Sequence, residues 1–133
     1  MPQHIMVVDD QAVVCKALEE YLRMSGYRVT ATIDSRTVLS LVEKDPPELL
    51  VVDLLMPEVD GLAVLENVKH RFPKVPVLIL TGMGYDNAIM QEALNLGADG
   101  FLSKSLSFSH LVLEIRRVLR SDNDQEPRLN RPS

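Results

Sequence analysis

The sequence predicts a doubly wound α/β domain built on a parallel sheet of five strands, with five helices on its two faces. Three observations lead to this prediction. Five short apolar runs alternate with five segments of helical periodicity, two of the runs are apolar almost throughout, and turn-forming residues separate the segments. Strands that are apolar throughout are typical of a sheet covered on both faces. Right-handed crossovers then place helices on both sides, and ligands of such sheets bind beyond the carboxyl ends of the strands.

The apolar runs have the length and composition of strands. The third and fourth are almost wholly apolar, which indicates burial on both faces. The predicted strands cover residues 4–8, 27–32, 48–52, 75–80 and 100–102.

The segments between the runs carry apolar residues at helical spacing. Ser25-Gly26 ends the first helix, because glycine readily adopts the backbone conformation that closes a helix. Asp34 and Asp60 are placed to cap the second and third. The predicted helices cover residues 11–24, 34–45, 60–72, 86–96 and 107–120.

Length and composition describe one domain without a membrane span. The chain has 133 residues, of which 46% are hydrophobic and 25% charged, and no window approaches eighteen uncharged apolar residues. We expect the domain to cover residues 1–120, with a polar tail or the start of a linker over 121–133. The first residues lack the features of a secretory signal and Cys15 is the one cysteine, so we expect a cytoplasmic protein. The net charge of −5 argues against direct nucleic-acid contact by this domain.

Chemically active side chains stand at or just beyond the ends of four predicted strands. Asp9 and Asp10 follow the first strand, Asp53 the third, Thr81 the fourth and Lys104 the fifth. In a sheet with the first strand central, flanked by the third and then by the fourth and fifth, these side chains converge on one cleft. Taken singly, they have ordinary explanations as helix caps, loop acids, strand residues or surface charges. Their joint placement favours a shared site.

The residue types at this cleft are those of a phosphoryl-binding magnesium site. Three neighbouring carboxylates repel one another unless a cation neutralises them. Mg²⁺ prefers one or two carboxylates together with waters and phosphate oxygens. Lys104 adds a positive charge and Thr81 a hydroxyl donor, which suit the equatorial oxygens of a phosphoryl group. The set therefore predicts Mg²⁺ and an aspartyl phosphate.

Five sequence segments around these residues form one joint pattern. They are VVDD at 7–10, VVDLLMPEVDG at 51–61, LTG at 80–82, GADGF at 97–101 and SKS around Lys104. Together they resemble the receiver domain of bacterial two-component response regulators, over roughly residues 3–120. The resemblance implies a flavodoxin-like (CheY-like) fold with strand order 2-1-3-4-5. It also implies a phosphoacceptor module whose partner is a sensor histidine kinase or a phosphotransfer protein.

The resemblance gives each residue of the cleft a role. It makes Asp53 the phosphoacceptor, with Lys104 pairing with the phosphoryl group and Thr81 hydrogen-bonding to it. Asp10 would bind Mg²⁺ directly and Asp9 through water. The full set of implied metal ligands is Asp9, Asp10, Asp53 and the main-chain carbonyl of Leu55, and Pro57 and Gly61 would shape the turn that follows.

Thr81 and Phe101 hold the switch positions of the family. A phosphoryl group brings nearly two negative charges, so it should draw Thr81 toward the site and let the ring of Phe101 move. The alternative is that Phe101 is an ordinary core aromatic. The switching face would be the fourth helix, the fifth strand and the fifth helix. There Met90, Leu94 and Leu113 lie outside the core stripe, as either a surface for homodimerisation or scattered surface apolar residues.

The residue after Lys104 departs from the family pattern. The family usually has a proline there, joined by a cis peptide bond, whereas this chain has Ser105. A cis bond before a residue other than proline costs about 3 kcal/mol. Because the geometry of the family's site depends on this bond, we expect the Lys104–Ser105 peptide to be cis.

Two other functions remain as alternatives. A Mg²⁺-dependent phosphatase with an aspartyl nucleophile needs a second aspartate two residues further on, where this chain has Leu55. We therefore expect no enzymatic activity beyond phosphorylation and slow dephosphorylation of the chain itself. The other alternative is a receiver that serves only as a docking module, which Ser105 in place of proline would favour.

The residues two positions after Asp53 and Thr81 predict slow dephosphorylation. Leu55 and Met83 would flank the path of the attacking water, and neither side chain can orient it with a strong hydrogen bond. We expect the purified phosphorylated protein to keep its phosphoryl group well beyond seconds. The intact mass, followed after removal of the phosphoryl donor, measures this lifetime, and loss within seconds would contradict the expectation.

Overall fold

One parallel sheet of five strands organises the fold. The computed structural model describes residues 2–54, 61–82 and 87–128, with side chains described as far as residue 120. The strands are β1 (His4–Val8), β2 (Arg28–Thr32), β3 (Leu49–Asp53), β4 (Val77–Thr81) and β5 (Gly100–Ser103). They pair in parallel in the order β2-β1-β3-β4-β5, which confirms the predicted sheet and its strand order.

Five α-helices connect the strands and follow the last of them, as the sequence predicts. They are α1 (Ala12–Met24), α2 (Val38–Lys44), α3 (Gly61–Arg71), α4 (Asn87–Asn95) and α5 (Phe108–Arg128). Within the described residues, none of these helices is long and apolar enough to cross a membrane.

Two helix boundaries differ from the sequence prediction by more than one residue. A short 3₁₀ helix over Ser35–Thr37 precedes α2, because Asp34 caps this tighter turn through a 3.0 Å bond from the Arg36 amide. Helix α5 continues past Arg120, its predicted end, to Arg128, and so includes most of the stretch expected to be a polar tail or the start of a linker. Residues 121–124 (SDND) and Pro127 have low helix propensity, so this extension depends on the apolar first half of α5, which packs on the sheet. The domain boundary at residue 120 stays a prediction.

Alternating side chains of the central strands fill two separate cores. On one face, Met6 and Val8 of β1 pack with β3 and β4 residues beneath α2, α3 and α4. On the other face, Ile5 and Val7 pack beneath α1 and α5. All four side chains are fully buried, and this burial on both faces explains why the strand sequences are apolar throughout.

Gly61 holds the start of α3 against the end of β3. Its amide donates to the Leu54 carbonyl over 3.1 Å, and a Cβ atom at this position would lie 2.4 Å from the Asp53 carbonyl oxygen. The same atom would lie 2.7 Å from the Leu54 carbonyl oxygen. These neighbours are main-chain atoms of a buried strand end, so they cannot move aside cheaply.

We predict that Gly61→Ala lowers the free energy of unfolding by about 1–3 kcal/mol, the usual cost of overpacking. Gly82→Ala is the matched control, since a Cβ atom there meets nothing within 4 Å. Because the backbone at Gly82 does not have positive φ, that substitution should be neutral or slightly stabilising. Urea unfolding of the three proteins measures the difference, and equal losses in both variants would contradict this explanation.

Candidate functional site

Three aspartates meet at the carboxyl ends of β1 and β3. Asp9 and Asp10 follow β1, and Asp53 is the last residue of β3. One carboxylate oxygen from each lies within 4.8 Å of the others. Asp9 and Asp53 are buried, whereas Asp10 is half-buried. The structure therefore brings together the acids that the sequence predicts to share a site.

The Lys104 ammonium lies among these carboxylates. Its Nζ is 3.2 Å from Asp53 Oδ2 and 3.1 Å from Asp9 Oδ2. Burial is the largest single influence on the pKa of Lys104 and lowers it, but the interactions of the ammonium with the carboxylates of Asp9 and Asp53 together outweigh this effect. The pKa of Lys104 therefore lies above its ordinary value, and the side chain carries its charge at neutral pH.

Main-chain hydrogen bonds fix the positions of these groups. Asp9 Oδ1 accepts a 2.9 Å bond from the Gln11 amide, and the Asp9 amide donates to the Thr32 carbonyl. The Lys104 amide donates to the Thr81 carbonyl over 2.7 Å, which joins the residue after β5 to the end of β4. The charged groups are thus held by the ends of neighbouring strands, and their spacing cannot relax freely.

The peptide bond between Lys104 and Ser105 is trans, so the expectation of a cis bond is wrong. The Ser105 amide, which a proline would lack, donates to Ser103 Oγ over 3.2 Å. The Leu106 amide donates to the Ser103 carbonyl over 3.1 Å, which closes a tight turn. The long lysine side chain reaches both carboxylates from this turn, so the cost of a cis bond is avoided.

The two switch positions lie in different surroundings. Thr81 is buried at the end of β4, and its hydroxyl donates to the Leu102 carbonyl over 3.3 Å. Phe101 is half-buried and packs against the core on the side of α2, α3 and α4. In this structure Phe101 packs as an ordinary core aromatic does, and movement of its ring on phosphorylation stays a prediction.

Some of the predicted site lies outside the described residues. Leu55, whose carbonyl was expected to bind the metal, belongs to the segment 55–60 together with Pro57 and Asp60. Met83 belongs to the segment 83–86. The expectations for these residues stay predictions.

Gln11 is a site residue that the sequence prediction missed. Its side-chain oxygen accepts a 2.9 Å hydrogen bond from Lys104 Nζ. The available signal was its position directly after Asp9-Asp10, but nothing in the sequence shows that its side chain turns toward a lysine 93 residues away.

The arrangement fits a hard divalent cation. Three carboxylates lie close together and one ammonium contacts two of them, so the described groups at the cleft carry more negative than positive charge. Asp9 Oδ2 is fully buried and accepts no hydrogen bond from the residues that the structure describes, although it lies in ion-pair contact with Lys104. A buried oxygen of this kind is costly unless a cation or a donor satisfies it. Asp9, Asp10 and Asp53 therefore have the donor chemistry that Mg²⁺ requires.

Comparison with known proteins identifies the family. Residues 5–116 match the sequence profile of the response regulator receiver domain. The chain belongs to this family, as the resemblance of its motifs predicted.

Two curated relatives show the same similarity. The chain is 36% identical over 121 residues to a protein of Guillardia theta named "Probable transcriptional regulator ycf27", covering 91% of this chain and 47% of that protein. It is also 36% identical over 121 residues to "Response regulator MprA" of Mycolicibacterium vanbaalenii, covering 90% and 52%. The chain thus spans about half the length of the curated relatives it matches.

A solved structure shows the same fold. The CheY-like response regulator receiver domain protein of Methanospirillum hungatei superposes with a TM-score of 0.87, covering 94% of this chain and 99% of that chain. At 22% sequence identity this likeness shows the fold alone. It confirms the flavodoxin-like architecture.

The charge excess at the cleft predicts that Mg²⁺ stabilises the fold. A ligand that binds the folded state at tenfold above its dissociation constant adds about 1.4 kcal/mol to the free energy of unfolding. We expect this gain for the unmodified protein and a much smaller gain for Asp10→Asn, which loses one carboxylate. Asp45→Asn is the control, because Asp45 pairs with Arg28 away from the cleft. Urea unfolding with Mg²⁺ or a chelator measures the gain, and an equal response in all three proteins would rule out this site.

Proposed function

We propose that the chain is a phosphoacceptor module that receives a phosphoryl group on Asp53 from a histidine kinase or a phosphotransfer protein. The observation that carries this proposal is the position of Lys104 Nζ, 3.2 Å from Asp53 Oδ2 and 3.1 Å from Asp9 Oδ2, beside a third carboxylate. Asp53 is thus a buried carboxylate with a cation at its reactive tip. Few purely structural roles require three acids to converge in this way.

The chemistry of the transfer follows from these positions. A carboxylate oxygen of Asp53 attacks the phosphorus atom of the donor, a bond between oxygen and phosphorus forms, and the bond between phosphorus and the donor nitrogen breaks. The leaving nitrogen takes up a proton from solvent. Lys104 remains beside the transferred group and neutralises part of its charge. Bound at the three acids, Mg²⁺ would supply charge neutralisation and orientation of the phosphoryl oxygens.

Phosphorylation is proposed to change the hydrogen bond of Thr81. Its hydroxyl now donates to the Leu102 carbonyl, and a phosphoryl oxygen is a stronger, charged acceptor. A shift of Thr81 toward Asp53 would remove that bond to β5 and free space beside Phe101. The signal would then reach the face formed by α4, β5 and α5.

The partners follow the same proposal. On that face Leu94 and Leu113 are 48% and 56% exposed, which supports homodimerisation that sedimentation velocity would detect. The relatives of about twice this length include a protein named as a transcriptional regulator, so a DNA-binding output would reside in another domain. The acidic receiver itself would not contact nucleic acid. We propose that the protein is located in the cytoplasm.

The two alternatives are less well supported. A docking module without phosphorylation would not need a charged lysine held between buried acids. A phosphatase would need an acid where this chain has Leu55. We therefore propose that the chain acts on no external substrate.

The deciding experiment is phosphorylation of the purified protein by phosphoramidate in the presence of Mg²⁺. We expect the mass of one phosphoryl group to be added to the unmodified protein and to Asp45→Asn, and no addition to Asp53→Asn. The physical reason is that the asparagine amide cannot attack phosphorus as a carboxylate does. Incorporation into Asp53→Asn at the same rate, or none into the unmodified protein, would refute the proposal.

A further inference from the structure

Gln11 provides the shortest contact of the Lys104 ammonium. The distance from Nζ to Gln11 Oε1 is 2.9 Å, compared with 3.1 Å to Asp9 Oδ2 and 3.2 Å to Asp53 Oδ2. An ammonium group has three donor hydrogens and no acceptor. Hydrogen bonds to Gln11 Oε1 and Asp53 Oδ2 occupy two of these donors, and the ion pair with Asp9 Oδ2 adds a third attraction that keeps the ammonium between the acids.

The main chain of Gln11 is fixed at the start of α1. Its amide donates to Asp9 Oδ1 over 2.9 Å, and its carbonyl accepts from the Cys15 amide over 2.9 Å. Side chains at this N-cap position usually accept a hydrogen bond from the first turn of the helix. The Gln11 side chain makes no such bond and extends to Lys104 instead. Because the main chain of Gln11 is anchored through both its amide and its carbonyl, its side-chain oxygen starts from a defined position within reach of the lysine.

The lysine held by Gln11 contacts carboxylates that a divalent cation would also need as ligands. The ammonium contacts two of the three carboxylates proposed as Mg²⁺ ligands. Two positive groups this close repel each other, so the cation and the ammonium compete for Asp9 and Asp53. A contact that stabilises the ammonium in its present place and is lost when the cation displaces it weakens cation binding by up to the free energy of that contact.

We propose that Gln11 is a positioning residue that retains Lys104 between Asp9 and Asp53 in the metal-free protein and thereby lowers the affinity of the site for Mg²⁺. The inference rests on the metal-dependent function proposed above and adds a residue that sets its cation requirement. Gln11 is exposed, so water competes for its hydrogen bond and the expected effect is moderate.

The test is a double-mutant cycle on unphosphorylated protein, with Mg²⁺ titrations followed by amide chemical shifts. Gln11→Met removes the acceptor while keeping the length of the side chain, and it should lower the Mg²⁺ dissociation constant about two- to tenfold, the range of one hydrogen bond. Lys104→Met should lower it at least as much. In the Lys104→Met background, Gln11→Met should have no further effect, because Gln11 acts through the lysine.

Two further variants and one control distinguish an effect on Mg²⁺ binding from an effect on folding. Gln11→Asn is too short to reach Lys104 but is a good helix N-cap, so it should tighten Mg²⁺ binding while keeping the stability of α1. Lys104→Gln provides a second background without the ammonium. Glu20→Gln, on the exposed side of α1, is the control that should leave the Mg²⁺ dissociation constant unchanged.

Each other outcome counts against the inference. Weaker or unchanged Mg²⁺ binding in Gln11→Met would show that Gln11 does not hold the lysine in competition with the cation. The same change in the presence and absence of Lys104 would show that Gln11 acts directly on the cation or its waters. Absence of Mg²⁺ binding in every variant would overturn the metal site itself, whereas failure of phosphoramidate to label the unmodified protein would overturn the proposed function and leave the binding cycle interpretable.

Discussion

Electrostatic repulsion among three carboxylates is the constraint on which the rest of this structure depends. Asp9, Asp10 and Asp53 stand close together, and two of them are buried, where charge interactions are poorly screened. One ammonium, that of Lys104, compensates part of this charge. Among the described residues, the cleft therefore carries more negative than positive charge. This charge distribution is what supports the proposal of a divalent cation and a phosphoryl group at the site.

The two cores keep the acids from moving apart. Side chains on both faces of β1 and β3 are fully buried, so the strands that carry Asp9 and Asp53 cannot shift without disturbing close packing. Gly61 adds a second restraint, because its backbone approaches the ends of β3 more closely than any residue with a Cβ atom could. The hydrophobic cores thus supply the free energy that holds an electrostatically unfavourable cleft in place.

The lysine is held differently from what the family pattern suggests. A trans peptide bond and a turn formed by Ser103, Ser105 and Leu106 replace the expected cis bond. The ammonium reaches the acids nevertheless, since the side chain of lysine is long and rotates freely. Gln11 then adds a neutral acceptor that limits this freedom. Because the hydrogen bond from Lys104 to Gln11 is exposed, it is weak enough to break when a stronger negative charge appears. A phosphoryl group on Asp53 would be such a charge.

The sequence by itself determined the parallel sheet and the reactive residues at its strand ends, and its resemblance to the receiver family supplied the strand order that brings the acids and the lysine together. Apolar runs and strand-end residues are local features, and parallel strands place their carboxyl ends at one edge whatever the side chains do. Tertiary structure decided the trans bond at Lys104, the extension of α5 to Arg128 and the contact between Gln11 and Lys104. The bond and the contact depend on which rotamers and turn geometries satisfy distant partners together. The helix end depends on how far a packed helix persists beyond its core. Neither kind of information is carried by the residues of one segment alone.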